Sequence, residues 1–311
     1  MQNDITLEKK KKKVEIRKNS SVKLTEKLVP WLFMIPALVP LIVFYLYPIG
    51  RSLWISFTDW DYISPEFNYV WLDNYVSLLT NPQFYTVLWN TLYFTLGTVI
   101  PTVIGGLFLA MLLTNQGKGM SIYRTIIFSP WVTPTVAISI VWSWIYEPKV
   151  GLANWLLSLV NIPALGWTSS TDWAMPAIII VTVWKGLGWA MIFYMYALKK
   201  VPESLYEAAD LDGASRVRKF IHITVPLISP TTFFLVVITM IDSLQAYDQI
   251  QVLTQGGPAG STRTILYMYY QSAFEQFNMG SATAVATILV VLTAILAFLQ
   301  FYLSRKWVHY Q

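Results

Sequence analysis

The sequence predicts an all-α membrane protein with six transmembrane helices, and three observations predict it. The 311 residues are 55% hydrophobic and only 13% charged, with a mean hydropathy of +0.49, too apolar for an ordinary soluble domain of this length. The apolar residues gather into runs of about 20, the length a helix needs to cross a hydrocarbon core about 30 Å thick. The runs do not alternate in polarity and are roughly twice as long as the strands of a membrane barrel.

In chain order, the first run spans Val29 to Ile49, the second Trp89 to Leu113 and the third Thr125 to Tyr146. The fourth, Trp173 to Leu198, carries one charge, Lys185; the fifth starts near Val225 and meets Asp242 and Asp248; the sixth runs from Met279 to Leu303. With the amino terminus in the cytoplasm, the inside segments are 1–28, 114–124, 199–224 and 304–311. They hold all but four of the 22 Lys and Arg. The exceptions are Arg51, Lys149 and Arg263 outside and Lys185 within a span, so the positive-inside rule places both termini in the cytoplasm. The expected organisation is a basic tail over 1–28, a transmembrane domain over 29–304 with a core from about residue 88, and a short tail over 305–311. The tail is long for the leader of a signal peptide and no small-residue cleavage site follows the first run, which predicts an uncleaved first helix. The five lysines Lys9 to Lys13 read as a solvated tail orienting that helix; a lipid or nucleic-acid patch is the alternative.

Outside, residues 50–88 and 147–172 are rich in aromatics, with a short interfacial helix expected over Asp73 to Leu79 and a turn at Asn81-Pro82. Trp155 and Trp167 suit the headgroup level of a Trp/Tyr belt; a docking surface for an external partner is the alternative. The chain has no cysteine, which excludes disulfides and thiolate metal sites. His222 and His309 lie far apart and read as interfacial polar residues, because a metal needs several converging ligands.

The inside segment 199–224 is the most ordered polar stretch. Pro202 suits the first turn of a helix, and Glu203 and Glu207 sit where the positive end of the helix dipole favours acids. Leu205, Ala208 and Ala209 then share one narrow face of mostly small side chains. Gly213 can take the left-handed conformation that ends a helix. Arg216, Arg218 and Lys219 follow on a basic second helix, with Phe220 and Ile223 free to pack inward, and Pro226 marks entry to the membrane.

"EAADLDGASRVRKFIHITVPLI" resembles the EAA loop of permease subunits in binding-protein-dependent ABC importers, at Glu207, Ala208, Ala209, Asp212, Gly213, Ala214, Phe220 and Pro226. "LQAYDQIQVLTQGGPAGSTRT" at 244–264 and "NTLYFT" at 90–95 resemble stretches of the maltose-type, MalF-like branch of sugar permeases, over about residues 30 to 304. The resemblance implies a type I ABC importer permease fold whose first loop helix, the coupling helix, enters a cleft of a cytoplasmic ATPase. It also implies a second homologous permease subunit, two ATPase subunits, an extracytoplasmic solute-binding protein and a carbohydrate cargo, in a bacterial cytoplasmic membrane. The maltose permease itself has further amino-terminal spans and a large external insertion, so maltose is not implied as the cargo.

No G-x-x-x-x-G-K-[ST] phosphate cradle occurs, since Gly117-Lys118 lacks the first glycine at the required spacing, and no G-x-S-x-G or H-E-x-x-H motif is present. The chain is expected to be non-catalytic and to bind no cofactor, with ATP and Mg²⁺ held by the partner ATPase and no nucleic-acid partner. For a path across the membrane, Asp242, Gln245, Asp248 and Gln249 fall within about 120° of one face of a continuous helix. Polar groups at that depth must face protein or water rather than lipid. Lys185 lies roughly 18 Å from either end of its span at 1.5 Å per residue and is expected to pair with an acid of the fifth span. Trp184, Trp189 and Tyr194 share its helix, and Tyr247 lies beside the acids. These nine are candidates for the substrate path, with structural glue between helices as the alternative.

Two other classes compete. An ion-coupled secondary transporter would use Lys185, Asp242 and Asp248 as a relay, but has no need of the EAA-type loop. An ABC importer of a non-sugar solute would share that loop and is disfavoured only by the LTQGGP region and the polar, aromatic spans. A membrane anchor would need no buried charge.

Overall fold

The computed structural model describes residues 24–114, 117, 119–305, 307 and 308. Most of the expected basic tail, including Lys9 to Lys13, and also Lys118 and His309, lie outside the described residues. The chain forms two compact units that divide after Ser52.

Helix α1 (Leu24–Leu41) passes through one π turn (Ile42–Leu46) into α2 (Tyr47–Ile55), and Val29–Ile55 is a candidate span. Prolines 30, 36 and 40 lie inside α1, as membrane helices tolerate.

From Leu53 onward, a cap forms by short-range hydrogen bonding. Asp61 accepts from the amides of Ile63 and Ser64, and Asp59 from the amide and side chain of Asn68. These donors hold both carboxyls below the usual Asp range. The expected interfacial helix is present as α3 (Asp73–Thr80), tied back by the Asn74 carboxamide, which donates to the carbonyls of Ser56 and Thr58 at 2.9 and 2.8 Å. Asn81 then caps α4 (Pro82–Leu113), accepting from the Gln83 amide at 2.9 Å. Pro82 takes the first helical position, where a missing N–H costs nothing.

The third expected span is not one helix. It is α5 (Met120–Val132) and α6 (Thr135–Ile145), meeting at 103°. Pro134 has no N–H to donate and excludes the residue before it from helical geometry; Thr133 is accordingly extended, at φ −81 and ψ 136. Among the described residues, five helices are long and apolar enough to cross a membrane, and the count reaches six when the bent pair is one span. Between this pair and the next span lie α7 (Leu152–Ser158) and a 3₁₀ turn (Trp167–Ser169). Trp155 is exposed, as a belt residue would be. Trp167 is not: it is buried, stacks on Tyr146 at 4.9 Å and donates its indole N–H to Asn154 at 2.8 Å. Its packing and its bonded indole make it part of the core.

Helix α8 (Ala174–Lys200) is the central element, packed along α4 and α5. Ala110, Ala190, Met191, Tyr194, Ile228 and Leu235 are buried in its core. Gly188 explains the close approach of α5: a Cβ there would stand 2.2 Å from the Ile127 carbonyl oxygen and 2.6 Å from the Phe128 Cα. Helix α9 (Glu203–Leu211) follows, with Pro202 as its N-cap, one place earlier than the sequence suggested. The expected basic second helix is not separate. Helix α10 (Arg216–Lys219), a π turn (Phe220–Thr224) and α11 (Val225–Leu244) make one span over Arg216–Leu244, begun by Ser215, whose hydroxyl accepts from the Arg218 amide. Next come α12 (Asp248–Leu253), which packs on α6, then α13 (Ile265–Tyr270), a π turn (Gln271–Glu275) and α14 (Met279–Ser304).

The stretches around Asn90 and around LTQGGP are one piece of structure. The Asn90 carboxamide donates to the carbonyls of Gly260 and Arg263 at 2.9 and 3.1 Å, and the Thr91 hydroxyl accepts from the Ile265 amide at 2.9 Å.

Candidate functional site

A cavity of about 380 Å³ lies where the bent pair, α4, α8 and the end of α11 meet. The break between α5 and α6 makes its most informative wall. In an uninterrupted helix the Trp131 carbonyl would accept from the amide four residues on; at a helix end such carbonyls need another donor. The Lys185 ammonium supplies it, with Nζ 3.3 Å from the Trp131 oxygen and 5.2 Å from the centre of the Trp131 ring. A cation at a helix C-terminus also meets the negative end of the dipole. Trp131 in turn stacks on Trp189, with centroids 5.2 Å apart.

The expected ion pair is therefore replaced by a backbone contact. Among the described residues no carboxylate lies within 4.0 Å of Lys185, although Asp248 and Asp242 are within its electrostatic reach. The one-face reading of the acids also changes. Helix α11 ends at Leu244, Gln245 is its C-cap, and Asp248 and Gln249 belong to α12. The four nevertheless border one cavity, because the turn at 245–247 folds α12 back over it. Asp242, Gln245 and Asp248 are exposed, while Gln249 is buried and its carboxamide faces the Thr182 hydroxyl at 3.4 Å.

Of the nine path candidates, seven border this cavity: Lys185, Trp189, Asp242, Gln245, Tyr247, Asp248 and Gln249. The other two stand elsewhere. Trp184 is edge-on to Trp142 at 5.5 Å and lines a separate, apolar cavity of about 660 Å³ in the crook of the bent pair. Tyr194 is fully buried in the core, its hydroxyl bonded to Thr232 at 3.1 Å. Sequence reasoning missed Trp131 and the small hydroxyls Thr98, Thr102, Thr135, Thr182, Thr239 and Ser243. Thr91, Thr95, Thr98 and Thr102 recur at helical spacing along α4, and that stripe was the available signal. Carboxylates, carboxamides and hydroxyls beside two stacked indoles can accept hydrogen bonds from and donate them to a polar solute. Among the described residues no three acidic or His side chains converge on a metal position.

At the end of α8 opposite Trp173, α9 projects with none of its residues buried. Ala208 is exposed, Ala209 half-buried and Leu211 91% exposed. Gly213 has φ +69 and ends the helix, with its amide on the Asp210 carbonyl and the Ala214 amide on the Ala209 carbonyl at 2.9 Å. Two contacts brace this loop: Lys219 to Asp210 at 2.6 Å, and the hydroxyls of Tyr206 and Thr224 at 2.7 Å. Glu207 and Asp212 are exposed beside the small face.

A polytopic helical bundle with a polar cavity at a broken span and a projecting helix at one end is the architecture of a membrane permease. Residues 102–309 match the family described as binding-protein-dependent transport system inner membrane component. The chain belongs to that family, as a multi-pass permease component of the cytoplasmic membrane. It is 35% identical to the probable ABC transporter permease protein YurN of Bacillus subtilis, over 88% of this chain and 95% of that one. It is 32% identical to the trehalose/maltose transport system permease protein MalF of Thermococcus litoralis, over 90% and 96%. Identity to the sn-glycerol-3-phosphate transport system permease protein UgpA of Pectobacterium atrosepticum is 30%, over 91% and 96%. The fold matches a chain of a bacterial ABC transporter involved in import of the acidic polysaccharide alginate, with TM-score 0.77 at 21% identity, covering 91% of this chain and 97% of that one.

Proposed function

We propose that this chain is the non-catalytic transmembrane subunit of an ATP-driven importer for a carbohydrate, an oligosaccharide, with both termini in the cytoplasm. The observation that carries the coupling half of this reading is α9: a short helix with a small-residue face, no buried residue and a leucine 91% exposed at its tip. Small side chains on an exposed helix let a second surface approach its backbone closely, and Gly213 and the two bracing contacts fix the helix where it projects. Glu207, Ala208, Ala209, Asp212, Gly213 and Ala214 form the contact with a cytoplasmic ATPase subunit, which carries ATP and Mg²⁺. A second, homologous permease completes the path, two ATPase subunits drive it, and an external solute-binding protein delivers cargo. ATP must favour one state of the assembly by differential affinity; the braced loop transmits that preference to the spans.

The cavity supports a carbohydrate. Trp131 and Trp189 give the cavity an aromatic border, and the surrounding carboxylates, amides and hydroxyls match sugar hydroxyls. Relatives named for trehalose and maltose point the same way.

The test is gentle extraction of the chain from its native membrane, identification of what co-purifies, and ATPase assay with binding-protein and sugar pairs. A second permease and an ATPase, stimulated by one pair, are expected. A chain that emerges alone and moves solute on an ion gradient would establish the ion-coupled alternative.

A further inference from the structure

The charge of the cavity separates two kinds of carbohydrate, and the inference rests on the carbohydrate reading above. Among the lining residues the charged groups are Lys185, Asp242 and Asp248, one cation against two carboxylates. One contact, at 3.3 Å to the Trp131 carbonyl, holds that ammonium at the broken end of α5, and its single charge leaves the lining one negative charge in excess. Both carboxylates are exposed toward the cavity, with no cation within 4.0 Å. An anionic solute is favoured by a surplus of guanidinium or ammonium groups, and this lining has the opposite balance. Free carboxylates instead accept hydrogen bonds from neutral hydroxyl pairs. We propose that Asp242 and Asp248 are the cargo-hydroxyl acceptors of this permease and that, with Lys185 offsetting only one of their two charges, they make it select neutral oligosaccharides over uronate- or phosphate-bearing ones.

External binding proteins filter cargo before it reaches the membrane, so the measurement must bypass them. Saturation-transfer NMR on the full permease and ATPase complex in lipid nanodiscs, without binding protein, compares maltotriose with trigalacturonate. The neutral trimer should give a signal at least about tenfold stronger, the scale that like charges produce in a partly dry cavity. In Asp242→Asn/Asp248→Asn, which keeps side-chain shape and removes both charges, the trigalacturonate signal should rise toward that of maltotriose. Each single substitution should move part of the way, which guards against a double variant that fails to assemble. Equal signals from the two trimers in the unmodified complex, or no rise in correctly assembled variants, would overturn the proposal. A complex that takes up neither trimer nor any other sugar strikes the carbohydrate reading itself.

Discussion

The projecting loop and the polar cavity within the bundle are built in opposite ways. Every functional residue of the loop lies within a dozen positions, and its shape follows from neighbours in sequence: Pro202 starts α9, Gly213 stops it and Ser215 begins the next helix. The cavity takes its walls from α4, α5, α6, α8, α11 and the turn into α12. Each contributes a few polar atoms to an otherwise apolar helix. A surface that must fit a separate chain can be encoded locally, whereas a polar space inside a bundle exists only after packing.

Perturbing the loop should have the largest effect. Ala208→Trp places an indole on an exposed position, so folding and membrane insertion should survive while uptake and sugar-stimulated ATPase fall to background. Normal uptake by this variant would break the assignment of the loop as a contact surface. Next is Lys185→Met, which strips the Trp131 carbonyl of its donor and leaves two carboxylates without a nearby cation. A hydrogen bond to a charged group is worth about 2 kcal/mol, so thermal stability of the purified complex and transport should both drop. Tyr194→Phe sharpens the boundary of the cavity. It removes a core hydroxyl bonded to Thr232 and should cost about 1 kcal/mol of stability with cargo affinity unchanged; a weakened affinity would put Tyr194 back on the path. The smallest effect belongs to Asp210→Asn. The Lys219–Asp210 pair is short but Asp210 is 62% exposed, so its loss should shift stability by less than about 1 kcal/mol and vanish in high salt.

The same contrast explains what is legible in the sequence. Capping and turn residues announce themselves singly, so the loop, α3 and the break between helices at Asn81-Pro82 can be read from the residues alone. Polar residues at membrane depth also announce themselves, which is why Lys185, Asp242, Asp248 and their neighbours stand out. Their arrangement does not. Nothing in the residues 242–249 marks Leu244 as the last of its helix, and a proline such as Pro134 is compatible with a mild kink as well as a 103° break. Threonines stay hidden because each can bond its own helix, as Thr98 does to the Phe94 carbonyl at 2.8 Å. The aromatic neighbours of Lys185 look alike in sequence, and only packing separates Trp189 at the cavity from Trp184 and Tyr194 beyond it.

Gly188 has a mechanical meaning as well as a steric one. With the backbones of α5 and α8 touching and no side chain between them, sliding one along the other would drive a carbonyl oxygen into a Cα. Those two segments are geared together and travel as a single strut. Between the two halves of the third crossing, Thr133 is extended and Pro134 has no N–H, so the i to i+4 hydrogen-bond ladder is interrupted there. The cavity thus sits beside the break in that crossing, and the Lys185 ammonium acts as a pin through it.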